Sequence, residues 1–530
     1  MPTKSTKLLS GSVLRTIVLI SNAAVAFLLL PLLVHHLGDR LYGFWALAGT
    51  FVGYYGMLDL GLTGTVNQYI ASAIGRKDDQ ECNLIFNTAL RIHSGMGGIA
   101  LLITLALAGS TPLFLHSKSD AALFWRVILL LGLTVALSFP LNSYKGLLVA
   151  ELRFDVIAWL GLLTLALRTA LIVSVVLAGH GIVAIAFVAL LATLPSSLLT
   201  VWIVQRMFPW IHVLAGPLER EMTKSLFSYS TYLFISDIAD RLRFQLDPVL
   251  IASFIGLAAV THYKIASALA DQYMSVMVAL LGVFWPLLSQ LHGAGKEARI
   301  KEVFFFATKI SLCAASFLCF GLIAWGKPMI QRWMGTDYID SYQLLLVLAL
   351  AMLLDLWQMP TVSLLYATFK HRVYAFSNLA EGLLNLGASL ILVRQYGILG
   401  VALGTLAAAI LIRIVVQPWW MCRVSGISYA AYAQFFTGNL LRCVGLLAVC
   451  FPLAYWGLRP NYGYLLASAA LATIIFLLGI WIVVFDKKEQ RIFKDIIMKR
   501  TPGHERSAWG AIDESSKGET EHAPSLSIQD

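Results

Sequence analysis

Charge is what this sequence has least of. Only 13% of its 530 residues are Asp, Glu, Lys or Arg, 58% are hydrophobic, and the mean hydropathy is +0.77. That balance excludes an ordinary soluble globule. Cysteine is sparse too. Cys82, Cys313, Cys319, Cys422, Cys443 and Cys450 fall in apolar runs or in loops read as cytoplasmic. None sits in an outward loop, so no disulfide framework is indicated and each reads as small apolar packing. A nucleotide-binding loop is missing: Gly293-Ala294-Gly295-Lys296 lacks the full spacing and the Ser or Thr that should follow. No His, Cys and carboxylate cluster has metal-ligand spacing, and there is no nucleophile elbow. Wide outward loops are absent as well, the longest holding about fifteen residues. Lipid-linked glycosyltransferases, polymerases and ligases need an extramembrane surface, and none is available here.

Long apolar runs are what the chain has in abundance. Fourteen are long enough to cross a bilayer, which takes a helix of about 20 residues. The first six reappear as the seventh to twelfth. Ala178-Gly179-His180-Gly181-Ile182-Val183 matches Arg394-Gln395-Tyr396-Gly397-Ile398-Leu399, 216 positions later. Leu37-Gly38 with Gly43-Phe44-Trp45-Ala46-Leu47-Ala48 matches Ile255-Gly256 with Thr261-His262-Tyr263-Lys264-Ile265-Ala266, at an offset of 218. A nearly constant offset argues for duplication. An even number of spans per copy makes both copies enter the membrane in the same direction, with a substrate site where they meet. The expected fold is an all-α integral membrane protein of about fourteen transmembrane helices, two pseudo-symmetric six-helix bundles plus two extra C-terminal helices. The expected divisions are a first lobe over 1–210, a cytoplasmic linker over 211–226 and a second lobe over 227–423. Two additional spans occupy 424–485, and 486–530 forms a tail, first basic and then too polar to fold alone.

The net charge of +10 is a topological signal. With the N-terminus inside, the inward segments carry most of the basic residues, among them Arg76, Lys77, Arg153, Lys296, Arg299, Lys370, Arg423, Lys487 and Lys488. The outward ones carry only Arg40, Lys118, Lys327, Arg332, Arg394 and Arg459. This is the positive-inside asymmetry, and it predicts both termini in the cytoplasm. It also removes the reason to expect nucleic acid. The first span is too long for a signal-peptide core and no small-residue cleavage site follows it, so it reads as retained.

Ionisable groups at membrane depth are costly and by default face a cavity or a partner. Span seven, 227–254, carries Asp237, Asp240, Arg241, Arg243 and Asp247 on an arc of about 160°, with Phe234, Ile238, Leu242 and Val249 opposite. Span eight, 257–290, places Lys264, Ser267, Asp271 and Ser275 within about 80°. The two polar stripes can face one space. Arg241, Arg243 and Lys264 are the candidate substrate-binding cations, because an arginine fork holds phosphate oxygens at two points. Asp59, Asp237, Asp240, Asp247 and Asp271 are candidates for tuning that cavity or coupling an ion. In span two, Tyr55, Asp59, Thr63 and Asn67 form one ladder at i+4 spacing. Arg168, Asp355, Glu381 and Arg413 are more isolated and read equally as polar glue between helices.

Short motifs carry a family likeness. Leu37-Gly38-Asp39-Arg40-Leu41-Tyr42-Gly43-Phe44-Trp45 resembles the L-G-x-x-x-Y-G stretch of polysaccharide flippases, and Asp59-Leu60-Gly61-Leu62 with Gly75-Arg76-Lys77-Asp78 resembles their D-x-G-x motif and basic turn. Gln245-Leu246-Asp247, Ile255-Gly256 and Tyr263-Lys264-Ile265-Ala266 are similar to the same family's seventh and eighth helices. The likeness is to the O-antigen and exopolysaccharide (Wzx-type) branch of the multidrug/oligosaccharidyl-lipid/polysaccharide exporter superfamily, and it runs to about residue 485. It implies a central cavity lined by helices one, two, seven and eight, in a protein of the bacterial inner membrane. It further implies alternating-access export of undecaprenyl-pyrophosphate-linked sugar repeat units, without chemical catalysis and without a bound cofactor. His262 and Lys264 stand where many members carry a smaller residue, which suggests an unusually basic cavity.

The expected partners are that lipid-linked oligosaccharide, membrane lipids, and polymerase or assembly proteins of the same pathway; a proton or sodium gradient would drive the cycle. Two rivals remain at this point: a cation-coupled multidrug or metabolite exporter of the same superfamily, and a non-transporting membrane scaffold in a polysaccharide assembly complex. The topology makes a direct prediction. Reporter fusions after Lys77 and Arg299 should score as cytoplasmic and one at Lys118 as external; finding Lys77 and Lys118 on the same side would break it.

Overall fold

The computed structural model describes residues 4–114, 118–213, 245–456, 462–487 and 489–490. These are helical almost throughout, with no strand among the described residues. Helices follow from the solvent: without water, backbone N–H and C=O groups must be satisfied within their own segment. In chain order the helices are α1 (Lys4–Tyr54), α2 (Leu62–Arg76), α3 (Asp79–Phe114), α4 (Lys118–Ala150), α5 (Phe154–Leu177) and α6 (Ile182–Met207). Then come α7 (Asp247–Phe254), α8 (Leu257–Leu281), α9 (Phe284–Gly293), α10 (Glu297–Trp333), α11 (Ser341–Trp357) and α12 (Met359–Ala367). The last are α13 (His371–Tyr396), α14 (Ile398–Ala409), α15 (Gln417–Ser425), α16 (Tyr429–Trp456) and α17 (Tyr462–Gly479), with wider π turns over Ile410–Val416 and Ile480–Val484.

Twelve stretches among the described residues are long and apolar enough to span a bilayer. The first, Ile17–Asp59, joins span one to the first part of span two, because α1 runs through a sharp kink at Gly38 (φ 74°, ψ 164°). Most of span seven lies outside the described residues. The chain is a multi-pass membrane protein.

The repeat is visible in the turns. Left-handed residues recur at nearly constant separation: Gly38 and Gly256, Lys77 and Gly295, and Gly179 and Gly397 are each 218 positions apart, and Leu152 and Phe369 are 217 apart. The turns at Lys77 and Gly295 have the same hydrogen bonds. Lys77 N donates to Ile74 O and Asp78 N to Ala73 O; Gly295 N donates to His292 O and Lys296 N to Leu291 O. The turns at Leu152 and Phe369 repeat that pattern, a Schellman-type helix stop. Gly179-His180-Gly181 precedes α6, while Gly397 alone precedes α14, so the helix starts Ile182 and Ile398 are 216 apart.

Two compact units divide the chain: Met1–Ser311 with Gly326–Tyr429, and Leu312–Trp325 with Ala430–Asp530. The first contains both repeated halves except Leu312–Trp325. Inside the second, Phe317 of α10 stacks on Phe476 of α17 with centroids 4.4 Å apart.

Within the first unit the halves meet closely at the end that carries Gly38 and Gly256. A Cβ on Gly43 of α1 would collide with the carbonyl oxygen of Leu257, so only glycine allows the two backbones this approach. Phe27 stacks on Trp333 (centroids 4.5 Å, 3°), whose Nε1 donates to Phe27 O at 2.9 Å. Thr261 Oγ1 donates to Asp39 O and Tyr338 OH to Asp39 Oδ1, both at 2.6 Å. Burial and this carboxylate together raise the Tyr338 phenol above its ordinary range, so it remains a donor at any physiological pH.

Gly43→Val should force the two backbones apart and cost about 1–3 kcal/mol, as overpacking does. Gly49→Ala, with open space at its Cβ, should cost nothing. Thermal unfolding of the two variants in detergent checks this.

Candidate functional site

Asp247 opens α7, with Pro248 behind it. Proline at the first helical position loses no hydrogen bond, and an acid at a helix N-terminus is favoured by the exposed N–H groups. The Asp247 carboxylate is 3% exposed. Its Oδ2 accepts a short hydrogen bond from Tyr263 OH and lies 3.3 Å from Thr405 Oγ1. Its Oδ1 is buried with no hydrogen-bond partner.

The atoms around Thr405 are nearly all acceptors. Its hydroxyl lies 3.1 Å from Asn385 Oδ1 and 3.3 Å from Val401 O; Ser389 Oγ lies 3.0 Å and 3.1 Å from those same two oxygens. Each hydroxyl can give one proton. With Tyr263 OH, these hydroxyls gather around one carboxylate, an amide oxygen and a backbone carbonyl. Gly404 keeps α14 tight against Ser389 of α13, where a Cβ would clash.

Asp247 also borders a cavity of about 280 Å³, with Lys264, Ser267 and Asp271 of α8 and Asp355 of α11 on its wall. The stripe on span eight thus reaches the same space as Asp247, except Ser275, whose hydroxyl turns back to Asp271 O at 2.8 Å. Lys264 interacts electrostatically with both Asp247 and Asp271. Asp237, Asp240, Arg241 and Arg243 lie outside the described residues.

Other sequence candidates go elsewhere. His262 is turned away from the cavity, with Nδ1 2.9 Å from Asp340 Oδ1 and Nε2 3.8 Å from Asp39 Oδ2, so it adds no positive charge to the cavity wall. Asp59 belongs to the first half. The ladder of span two is interrupted: Tyr55–Asp59 forms a 3₁₀ turn, and Leu60 and Gly61 are left-handed before α2 begins. Tyr55 OH therefore meets Thr104 Oγ1 at 2.7 Å. Asp59 keeps Thr63, accepting from its Oγ1 at 2.5 Å and its N at 3.2 Å, and lies 3.5 Å from His93 Nε2.

Arg413 is polar glue. On the π turn after α14 it binds Asp355 Oδ1 at 2.7 Å, Glu381 Oε2 at 2.8 Å and Asn378 Oδ1 at 2.5 Å, with Gln417 alongside. Arg168 is not. It stands exposed in a groove of about 340 Å³ between α1, α5 and α8, among Leu30, Leu33, Leu165 and Ile172. Sequence reasoning missed Tyr263, Thr405 and Ser389; hydroxyl residues in apolar runs carry no signal of what they face.

Arg413→Ala should leave Asp355 and Glu381 buried without their cation and destabilise the fold by about 3–5 kcal/mol. Arg168→Ala, at an exposed position, should leave stability unchanged. Membrane abundance and denaturation midpoints separate the two.

The fold agrees with that of known proteins. The profile of the polysaccharide biosynthesis protein family matches residues 8–292. The chain is 20% identical over 475 residues to the uncharacterised membrane protein EpsK of Bacillus subtilis, covering 87% of this chain and 92% of EpsK. It is 22% identical to a putative O-antigen transporter of Shigella flexneri, over 75% of this chain and 94% of that one. Among solved structures, the lipid II flippase MurJ in an inward closed conformation superposes with a TM-score of 0.70 at 15% identity, over 92% of this chain and 99% of MurJ. An outward-facing multidrug-resistance transporter of the MATE family superposes at 0.60 with 16% identity, over 80% of this chain and 99% of that one. With more than half its length matched, the chain belongs to the polysaccharide biosynthesis protein family, whose fold here is that of the multidrug/oligosaccharidyl-lipid/polysaccharide (MOP) exporter superfamily.

Proposed function

We propose that this protein is a flippase that moves an undecaprenyl-pyrophosphate-linked oligosaccharide across the bacterial inner membrane by alternating access. The observation that carries the reading is the charged cavity at membrane depth, with Lys264, Asp271 and Asp247 on its wall. A lipid-linked sugar diphosphate joins a large anionic head to an apolar tail. Lys264 from the described part, with Arg241 and Arg243 from span seven, supplies cations for the head. Arg168 is a further cation at membrane depth, and its apolar groove suits a lipid. The lysine- and arginine-rich end at Lys77, Leu152 and Gly295 faces the cytoplasm. The contacts at Asp39 and Phe27 then close the outward end, so the conformation is one that receives cargo from inside.

Coupling is assigned to the Asp247 cluster. One carboxylate with amide, hydroxyl and carbonyl oxygens suits a monovalent cation such as sodium, since divalent oxygen sites gather more carboxylates. A bound cation would fix Asp247, Asn385 and Thr405 together and tie α7 to α13 and α14. The relatives' names support a polysaccharide cargo, and the shared fold with multidrug exporters keeps a cation-coupled drug exporter as the rival.

Complementation of surface polysaccharide in a strain lacking this gene tests the reading, with membrane abundance followed in parallel. The double variant Arg241→Ala, Arg243→Ala should insert normally and lose export. Each charge-assisted bond contributes about 1.5–3 kcal/mol, roughly tenfold or more in affinity. Arg243→Lys should recover only part, keeping the charge without the fork. Asp247→Asn should abolish any sodium dependence. Normal polysaccharide from the inserted double variant would overturn the anionic cargo and favour the drug exporter.

A further inference from the structure

The first half contains a buried titratable pair that the cargo site does not use. His93, in the middle of α3, has no exposed surface. Its Nδ1 lies 2.7 Å from Ser143 Oγ on α4 and its Nε2 3.5 Å from Asp59 Oδ1. The Asp59 side chain is 24% exposed. Asp, His and Ser in contact invite a hydrolase reading, but Ser143 is fully buried and no substrate atom can approach it.

We infer that Asp59 and His93 form a proton-binding site in the first half, separate from the Asp247 cluster, and that its occupancy sets the break in span two. Ionised Asp59 beside a neutral imidazole leaves the pair with a net charge of −1 in a low-dielectric interior. Taking one proton from water brings it to zero, as carboxylate with imidazolium or as carboxylic acid with imidazole. In the first form both ring nitrogens donate, to Ser143 Oγ and to the carboxylate.

Other titratable groups do not compete. On the 3₁₀ turn, Tyr55 is engaged with Thr104. Tyr69 on α2, Arg91 on α3 itself, and Tyr144 and Lys145 on α4 complete the set near the middle of these helices, and Arg76 pairs with Glu81 at their end. Among the described residues only Asp59 is within ion-pair distance of His93.

Occupancy reaches the backbone through Asp59. The same carboxylate accepts from Thr63 N and Oγ1 and so caps α2 across the left-handed pair Leu60 and Gly61. A proton on the imidazole leaves that cap ionised; a proton on Asp59 weakens it. When the halves open and Asp59 is hydrated, the net −1 form is no longer penalised and the proton leaves. The link to transport rests on the flippase reading above, whereas proton binding does not.

Purified full-length protein in lipid nanodiscs, free of cargo, provides the test. Infrared difference spectra between acid and alkaline pH, with labelled aspartate and histidine, should show one carboxyl and one imidazole signal titrating together. Both should vanish in Asp59→Asn and in His93→Gln, and proton uptake should fall by one per chain. Asp247→Asn should retain them. Ser143→Ala, which keeps both groups, should move the midpoint. Signals that survive in Asp59→Asn or His93→Gln, or an unmoved midpoint in Ser143→Ala, would overturn the site. Loss of the signals with normal export from His93→Gln would overturn the coupling alone and leave the flippase reading intact.

Discussion

A charged or polar group in a membrane interior has no water to fall back on, and each must find a partner, a cavity or an exit. That constraint decides where the polar side chains of this protein go. Arg413 takes the first course, surrounded by two carboxylates and two amide oxygens with almost no exposure. Lys264 and Asp271 take the second, on the wall of a shared cavity. Arg168 takes the third, in a groove among leucines. The first arrangement ties three helical segments together, and such a network rigidifies.

The second half gathers its polar side chains into two clusters of different make-up. Around Arg413, one guanidinium reaches two carboxylates and two amide oxygens. Around Thr405, the hydroxyls of Thr405, Ser389 and Tyr263 meet a carboxylate, an amide oxygen and a carbonyl, and Asp247 Oδ1 is buried without a hydrogen bond. Both clusters lie in the second half, and Asp355 belongs to the wall of the cavity as well as to the Arg413 knot. A change at the cavity therefore has a rigid body to act on.

The helical spans, the repeat and the convergence of Asp247 with span eight were legible because each depends on periodicity: apolar length, a fixed offset, a 100° step. What escaped depends on backbone breaks and on small polar residues. The i+4 ladder of span two assumed a continuous helix, and the left-handed Leu60 and Gly61 end it, sending Tyr55 to Thr104 and Asp59 toward His93. His262 shares a helix with Lys264 yet serves Asp39 and Asp340, since two residues along a helix point about 200° apart. Thr405 and Ser389 look like ordinary residues of apolar runs. No one-dimensional pattern reveals that they face each other's acceptors.

The contact of Gly43 with Leu257 has a mechanical side. Where two helices touch backbone to backbone, few side chains stand between them, and one can roll on the other once contacts such as Thr261 with Asp39 let go. Such a contact behaves as a bearing. Placed near one face of a hydrocarbon layer about 30 Å thick, it gives each half a lever arm of that length, so a roll of about 10° displaces the far end by about 5 Å. Small adjustments where the glycine sits are thereby magnified into clearance on the opposite side of the membrane.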